Sequence, residues 1–263
     1  MGETHTPEIE LSVVIPAYNE ADRIVTTLQK TLDYLERRPF QGEVIVVSDG
    51  STDDTVSVAQ GLGRGRRTDL RVIEYHPNRG KGYAVRTGMR EGKGAVLMFM
   101  DADYSVPIQE MEKGLACLRK GYDIAMGSRA LPGSRVAARQ NFARELSAEI
   151  YTMIQSFYLG IPYRDTQCGF KLFTRRAARV LFDRQKLSSV IFDPEILWLA
   201  KMLGFQTAEF PVFWRHMADS RIQYDSVKKS IFVFQELFRI KRLHPPGSLK
   251  RNSERAPRSV LRG

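Results

Sequence analysis

The chain of 263 residues is poor in the groups that most metal and redox chemistry requires. It carries two cysteines, Cys117 and Cys168, and four histidines. Two thiols without a paired framework fit a reducing compartment and argue against a disulfide scaffold or a thiolate zinc site. His5, His76, His216 and His244 form no H-E-x-x-H or comparable cluster, so a histidine zinc centre is not expected. No G-x-G-x-x-G follows the first apolar run and no G-x-x-x-x-G-K-[ST] occurs, which leaves a Rossmann cofactor site or a P-loop unsupported. No apolar run approaches the ~20 residues of a membrane-spanning helix. The opening "MGETHTPEIE" lacks the apolar core of a secretory signal. The expected location is cytoplasmic, free or peripheral on the cytoplasmic face of a membrane.

What is present is basic and alternating. The net charge is +10, and residues 227–263 hold ten Lys or Arg against two Glu, so +8 of it lies at the carboxyl end. Such an end suits an anionic partner. Its sparse aromatics argue against a stacking platform for single-stranded nucleic acid, and no nucleic acid is expected. In the body, strand-like runs ("LSVVIP", "GEVIVVSD", "LRVIEY", "AVLMFM", "YDIAMGSR") alternate with helical periods such as Ile24, Leu28, Leu32 and Leu35. This order predicts an α/β fold on a mostly parallel twisted sheet flanked by helices. Ser51 to Asp54 reads as a capping box for the second helix. Residues 1–225 are expected to form one domain and 226–244 a basic amphipathic helix. Residues 245–263, rich in Pro and Arg, are too poor in apolar side chains to fold.

Three stretches carry candidate chemistry. In "VLMFMDADYS" an unbroken apolar run ends in Asp101 and Asp103, at the sheet edge where open α/β sheets bind ligands. Paired carboxylates there suit a hard cation, Mg²⁺ or Mn²⁺, shared with a substrate diphosphate. In "VVSDGSTDDT", Asp49 also ends an apolar run and can accept from a base N–H or cap the following helix. "NRGKGYAVRTG" sets Arg79 and Lys81 among glycines, a cationic turn suited to phosphate.

In order and approximate spacing, "VVIPAYNE", "VVSDGSTDDT", "NRGKGYAVRTG", "MDADYS" and "GSR" resemble the inverting GT-A glycosyltransferases of family 2. The block "RDTQCGFKLFTRRAARVLF", with "FDPEILWLA", resembles the dolichyl-phosphate β-glucosyltransferases within it, and more loosely the dolichyl-phosphate mannose synthases. The processive Q-x-x-R-W signature is absent, which argues for one sugar per acceptor. The resemblance implies a GT-A fold, and a nucleotide pocket lined by Pro16, Tyr18, Glu20, Val47 and Asp49. It implies that Asp101, Ala102 and Asp103 hold the sugar nucleotide and the metal, with Lys81 on the diphosphate. Where mannose synthases often carry Gln, this chain has Ser105. Arg129 would sit between the donor and acceptor phosphates, and Arg144 and Arg215 would meet the acceptor phosphate, with Ser220 and Arg221 in a loop near the donor. Asp193 stands where related enzymes with hydroxyl acceptors place a general base, and it can equally orient the sugar or cap a helix.

The implied reaction moves one sugar, glucose from UDP-glucose, onto a polyprenyl or dolichyl phosphate. The alternatives are a GDP-mannose donor, a hydroxyl acceptor, or a non-catalytic binding protein. Within "SVKKSIFVFQELFRIKRL", Val227, Ile231, Phe234 and Phe238 fall on one helical face, with Lys228, Gln235, Arg239 and Arg242 on another. That pattern predicts a helix lying on an anionic membrane surface, or else packed on the sheet.

Overall fold

Strand and helix alternate through the amino-terminal half of the computed structural model, which describes residues 9–136, 142–215 and 227–248. The order is β1 (Leu11–Ala17), α1 (Ala21–Glu36), β2 (Gly42–Asp49), α2 (Thr55–Gly63), β3 (Asp69–Tyr75), α3 (Lys81–Glu91) and β4 (Val96–Met100). A 3₁₀ turn, α4 (Met111–Arg119), β5 (Ile124–Ser128), β6 (Arg135–Val136) and α5 (Phe142–Leu159) follow. Then come β7 (Phe170–Thr174), α6 (Arg175–Arg184), α7 (Phe192–Leu203), β8 (Thr207–Pro211), β9 (Phe213–Trp214) and α8 (Val227–Leu243).

Seven strands form one sheet in the order β3-β2-β1-β4-β7-β5-β8, while β6 and β9 pair separately. All neighbours in the large sheet are parallel except that β7 runs antiparallel between β4 and β5. This reversal matters for the site. The chain enters β7 at the carboxyl edge of β4, where the Asp101 amide donates to the Gly169 carbonyl (3.1 Å). Residues 165–169 are thereby carried to the edge that holds the paired aspartates.

The runs of β1, β2, β4 and β5 are buried on both faces, as their lack of alternation requires, whereas the edge strand β3 is only partly covered. Val14, Val47, Leu97, Phe99 and Phe173 share a core with α3, α6 and α7. Val13, Ile15, Val46, Met98 and Met100 share the other with α1 and α4, including Ile24, Leu28, Leu32 and Leu35. At α2 the expected capping box is not formed. Asp54 caps no amide with its side chain. Ser51 Oγ instead accepts from the Asn19 amide, and the Asp53 carboxylate accepts from the Thr55 amide. These contacts tie the β1–α1 turn to the β2–α2 turn, which uses the same side chains for a tertiary purpose.

Helix α8 buries a different face from the Val227, Ile231, Phe234 and Phe238 stripe. Val233, Leu237 and Ile240 point into the core, whereas Ile231 and Phe238 are about half exposed (51% and 47%). The stripe read from the sequence lies instead along the seam with α5. Phe234 packs on Tyr151 (centroids 5.9 Å), and Phe238 packs edge-on to Tyr158 (4.9 Å). Burial selects the Val-Leu-Ile face because those side chains fit against α7 without stranding a charge. The side chains of Val227 and Lys228 lie outside the described residues.

Candidate active site

The carboxyl edge of the sheet gathers four charged side chains that are far apart in sequence. Asp101 and Asp103 follow β4, Lys81 opens α3, and Asp193 is the second residue of α7. Lys81 Nζ lies 2.6 Å from Asp101 Oδ1. Burial alone would lower the Lys81 pKa. The fields of Asp101, Asp193 and Asp103 outweigh it and hold the ammonium above its usual range. Asp103 is pushed above the ordinary carboxyl range by burial and then by the like charge of Asp101. Its Oδ1 accepts from the Ser105 amide (2.9 Å). Gly169 makes room for this pair, since a Cβ there would lie 2.1 Å from Asp101 Oδ2.

These residues fit a hard divalent cation. Two adjacent carboxylates raise each other's energy, and their donor atoms are all oxygen, the chemistry such a cation takes. Among the described residues no third His, Cys, Asp or Glu joins them. The remaining coordination would come from diphosphate and water.

Asp49 is almost fully buried, and its carboxylate is heavily used. Oδ1 accepts from the Tyr75 hydroxyl (2.9 Å) and the Arg79 amide (2.7 Å), and Oδ2 accepts from the Gly80 amide (2.9 Å). Three of about four lone-pair sites are filled, so Asp49 organises the turn that precedes Lys81. Pro16 and Val47 are register partners whose side chains are buried in the sheet. The Val47 side chain belongs to the core beneath this edge. Tyr18 is 44% exposed at the rim. Glu20 starts α1, with its amide donating to Thr55 Oγ1 (2.8 Å). The Ala102 carbonyl accepts from Thr27 Oγ1 (2.6 Å), fastening the aspartate turn to α1.

Arg129, one residue beyond β5, is held by Asp165. Nε and Nη2 donate to the two carboxylate oxygens at 2.6 and 2.9 Å, and the Arg129 amide donates to Oδ2 at 2.9 Å. Burial would raise Asp165, but the guanidinium and its hydrogen bonds hold it below the usual range. The rest of the guanidinium faces the Trp214 ring, 5.6 Å from its centroid. Arg215 is tied to the aspartate turn, its amide donating to the Ser105 carbonyl (2.9 Å). Its guanidinium sits over Phe213 and lines a groove of about 390 Å³ with Lys30, Arg37 and Tyr104. Arg144 is part of α5, but its side chain lies outside the described residues, as do Ser220 and Arg221.

Asp193 does not cap α7, whose N-cap is Ile191. Its Oδ1 receives Lys171 Nζ at 2.6 Å, and both side chains are at most 5% exposed. Lys171 also donates to the Cys168 carbonyl (2.7 Å). Lys171, Asp165 and Gly169 were not among the residues singled out from the sequence. The one available signal was a lysine inside the apolar run "FKLF".

The profile of Glycosyl transferase family 2 matches residues 12–182, which span β1 to α6. The chain belongs to glycosyl transferase family 2. It is 39% identical over 229 residues to the dolichyl-phosphate β-glucosyltransferase of Drosophila melanogaster, covering 82% of this chain and 70% of that one. The Homo sapiens protein of the same name is 37% identical over 229 residues, covering 82% and 71%. Among solved structures, glucosyl-3-phosphoglycerate synthase from Mycobacterium tuberculosis, in complex with Mn²⁺ and UDP-glucose, superposes with a TM-score of 0.63. It is 19% identical, covering 89% of this chain and 78% of that one. At that identity the likeness speaks for the glycosyltransferase fold alone.

Proposed function

We propose that this family 2 glycosyltransferase moves glucose from UDP-glucose to the phosphate of a polyprenyl lipid of the dolichyl type, inverting the anomeric centre. The observation that carries the reading is the convergence of Lys81, Asp101 and Asp103 at the carboxyl end of β4. The names of its relatives supply the sugar and the acceptor class.

Asp101 and Asp103 would hold Mg²⁺ or Mn²⁺, which when bound supplies positive charge to the departing diphosphate. Lys81 is charged and beside Asp101, within reach of the same oxygens, and its ammonium offsets the charge that grows on them. An acceptor phosphate oxygen forms a bond to the anomeric carbon as the bond to the diphosphate oxygen breaks. The electron pair leaves with UDP. The acceptor is already an anion, so no proton must be removed. Arg129, fixed in direction by Asp165, would orient that phosphate. The test is a matrix of UDP-glucose and GDP-mannose against polyprenyl phosphates and sugar hydroxyl acceptors, with products identified by mass spectrometry and the linkage by NMR. β-Glucosyl phospholipid as the main product supports the reading. A preference for GDP-mannose, or product only from hydroxyl acceptors, overturns it.

The acceptor implies a bilayer. Among the described residues no helix is long and apolar enough to cross a membrane. The outer face of α5 and α8 is the candidate contact. Phe157 is 93% exposed and Met153 65%, one turn apart on α5, and Ile231 and Phe238 are exposed on α8, which packs on α5 through Tyr158 and Phe238. Arg239, Lys241 and Arg242 lie on the last turns of α8. Apolar side chains together with cations match an anionic lipid surface, with each cation contributing about 1 kcal/mol. Phe157→Asp is expected to weaken binding to phosphatidylserine vesicles at least 10-fold in flotation, because inserting a Phe is worth about 1.5–3 kcal/mol. Binding of the unaltered protein should also fall with salt. Binding unaffected by Phe157→Asp would remove this face from the contact.

A further inference from the structure

Lys81 sits between two glycines, and both are pressed against one segment, residues 185–191. A Cβ on Gly80 would lie 2.4 Å from the Ser188 carbonyl oxygen. A Cβ on Gly82 would lie 2.8 Å from both the Ser189 oxygen and Phe192 Cβ. The Ser188 carbonyl accepts from the Gly82 amide (2.8 Å) and the Tyr83 amide (3.3 Å). Gln185 Nε2 donates to the Gly82 carbonyl (2.8 Å) and also to the Leu187 carbonyl (2.7 Å). The turn that aims Lys81 thus has no freedom apart from this segment.

The segment is in turn held from behind by α8. Glu195 receives the amides of Lys186 (2.8 Å) and Leu187 (2.9 Å), and His244 Nε2 lies 2.6 Å from the same carboxylate. Ser189 Oγ donates to Glu236 Oε2 (3.1 Å) and accepts from the Ile191 amide (3.2 Å). Lys186 Nζ donates to the Leu243 carbonyl (2.9 Å), and Trp198 Nε1 donates to the His244 carbonyl (3.1 Å). Glu236 and His244 are each about 4% exposed, in an interface otherwise built from Val233, Leu237 and Ile240. Apolar packing alone would dock this helix, and buried polar groups are costly unless fully partnered. Here Glu236 reaches residues 185–191 directly through Ser189, and His244 reaches them through Glu195 and the Lys186 and Leu187 amides.

We infer that Glu236 and His244 of the α8 region are positioning residues for Lys81, acting through residues 185–191 to set the affinity for the donor diphosphate. This rests on the role proposed for Lys81. Neither residue touches the donor, so the effect must appear in donor binding and spare the acceptor.

The test uses the full chain, with UDP binding by calorimetry, Michaelis constants for both substrates and thermal midpoints. Glu236→Gln and Ser189→Ala are each expected to weaken UDP binding and raise the donor KM about 10-fold, with the acceptor KM unchanged. The double variant should be no weaker than either single one, because both break the same link. Leu237→Ala is the control, since it removes packing on the same helix face with no bond to the segment. It should lower the thermal midpoint at least as much and leave UDP affinity unchanged. If His244→Gln fails to fold, the Glu236 and Ser189 variants still decide. Unchanged UDP affinity in Glu236→Gln and Ser189→Ala overturns the inference, as does an equal loss in Leu237→Ala. If the unaltered chain binds GDP and not UDP, the donor assignment fails while the same comparison is made with GDP.

Discussion

Replacing Asp103 with alanine is expected to lower turnover about 10³-fold or more, without lowering the thermal midpoint at pH 7. The two halves of this result come from one cause. Asp103 is held above the usual carboxyl range by burial and by Asp101, so its ionised form is strained in the folded chain. A carboxyl whose folded pKa is raised contributes stability that is complete below its unfolded pKa, about 3.9, and that is lost as pH rises through the folded value. At neutral pH the charge opposes folding, and its removal offsets the lost hydrogen bond from the Ser105 amide. The charge is retained for what it binds. Calorimetric titration of Mn²⁺ into the UDP complex should show binding by the unaltered chain and none by Asp103→Ala. EDTA should likewise abolish turnover. Turnover within 10-fold of the unaltered chain, in that variant or in EDTA, removes Asp103 from the metal-binding pair.

Much of this site was legible because its parts end apolar runs. "VLMFMDAD" declares both a buried strand and the carboxylates at its end, and the 3.6-residue period of α1 reads directly from Ile24, Leu28, Leu32 and Leu35. Less legible were residues whose role depends on a partner distant in the chain. Lys171 looks like an error in the apolar run "FKLF" until β7 is seen to run antiparallel beside β4, aiming it at Asp193. Asp165 acquires its meaning only from Arg129, 36 residues earlier. Asp49 could be read as a base contact or a cap, and the fold gives it a third task, gathering the Arg79 and Gly80 amides. In α8 the sequence pattern left open which apolar face is buried, and packing decides it. Phe234 and Phe238 outrank Val233 and Leu237 in bulk, but the smaller side chains face the core and the aromatic ones meet α5.

The second large effect concerns Lys171 and Asp193, whose side chains are 1% and 5% exposed. Lys171→Met should destabilise the fold by about 3–5 kcal/mol, because it leaves Asp193 buried without its counter-charge. For a chain of this size that lowers the thermal midpoint by about 10 °C. Lys171→Met/Asp193→Leu should recover most of the loss, since a buried ion pair exchanged for apolar side chains is often neutral or stabilising. Turnover of the double variant then separates two roles for Asp193. A general base contributes about 10²–10⁴-fold, and its loss would remove the acid limb of the pH–rate profile. A carboxylate whose Oδ1 is held by Lys171 Nζ at 2.6 Å serves as that lysine's counter-ion, and an anionic phosphate acceptor needs no base. The expected outcome is therefore a refolded double variant that keeps turnover within about 10²-fold, with the acid limb unmoved. A larger loss with the acid limb abolished would make Asp193 a base, and with it make a hydroxyl the acceptor.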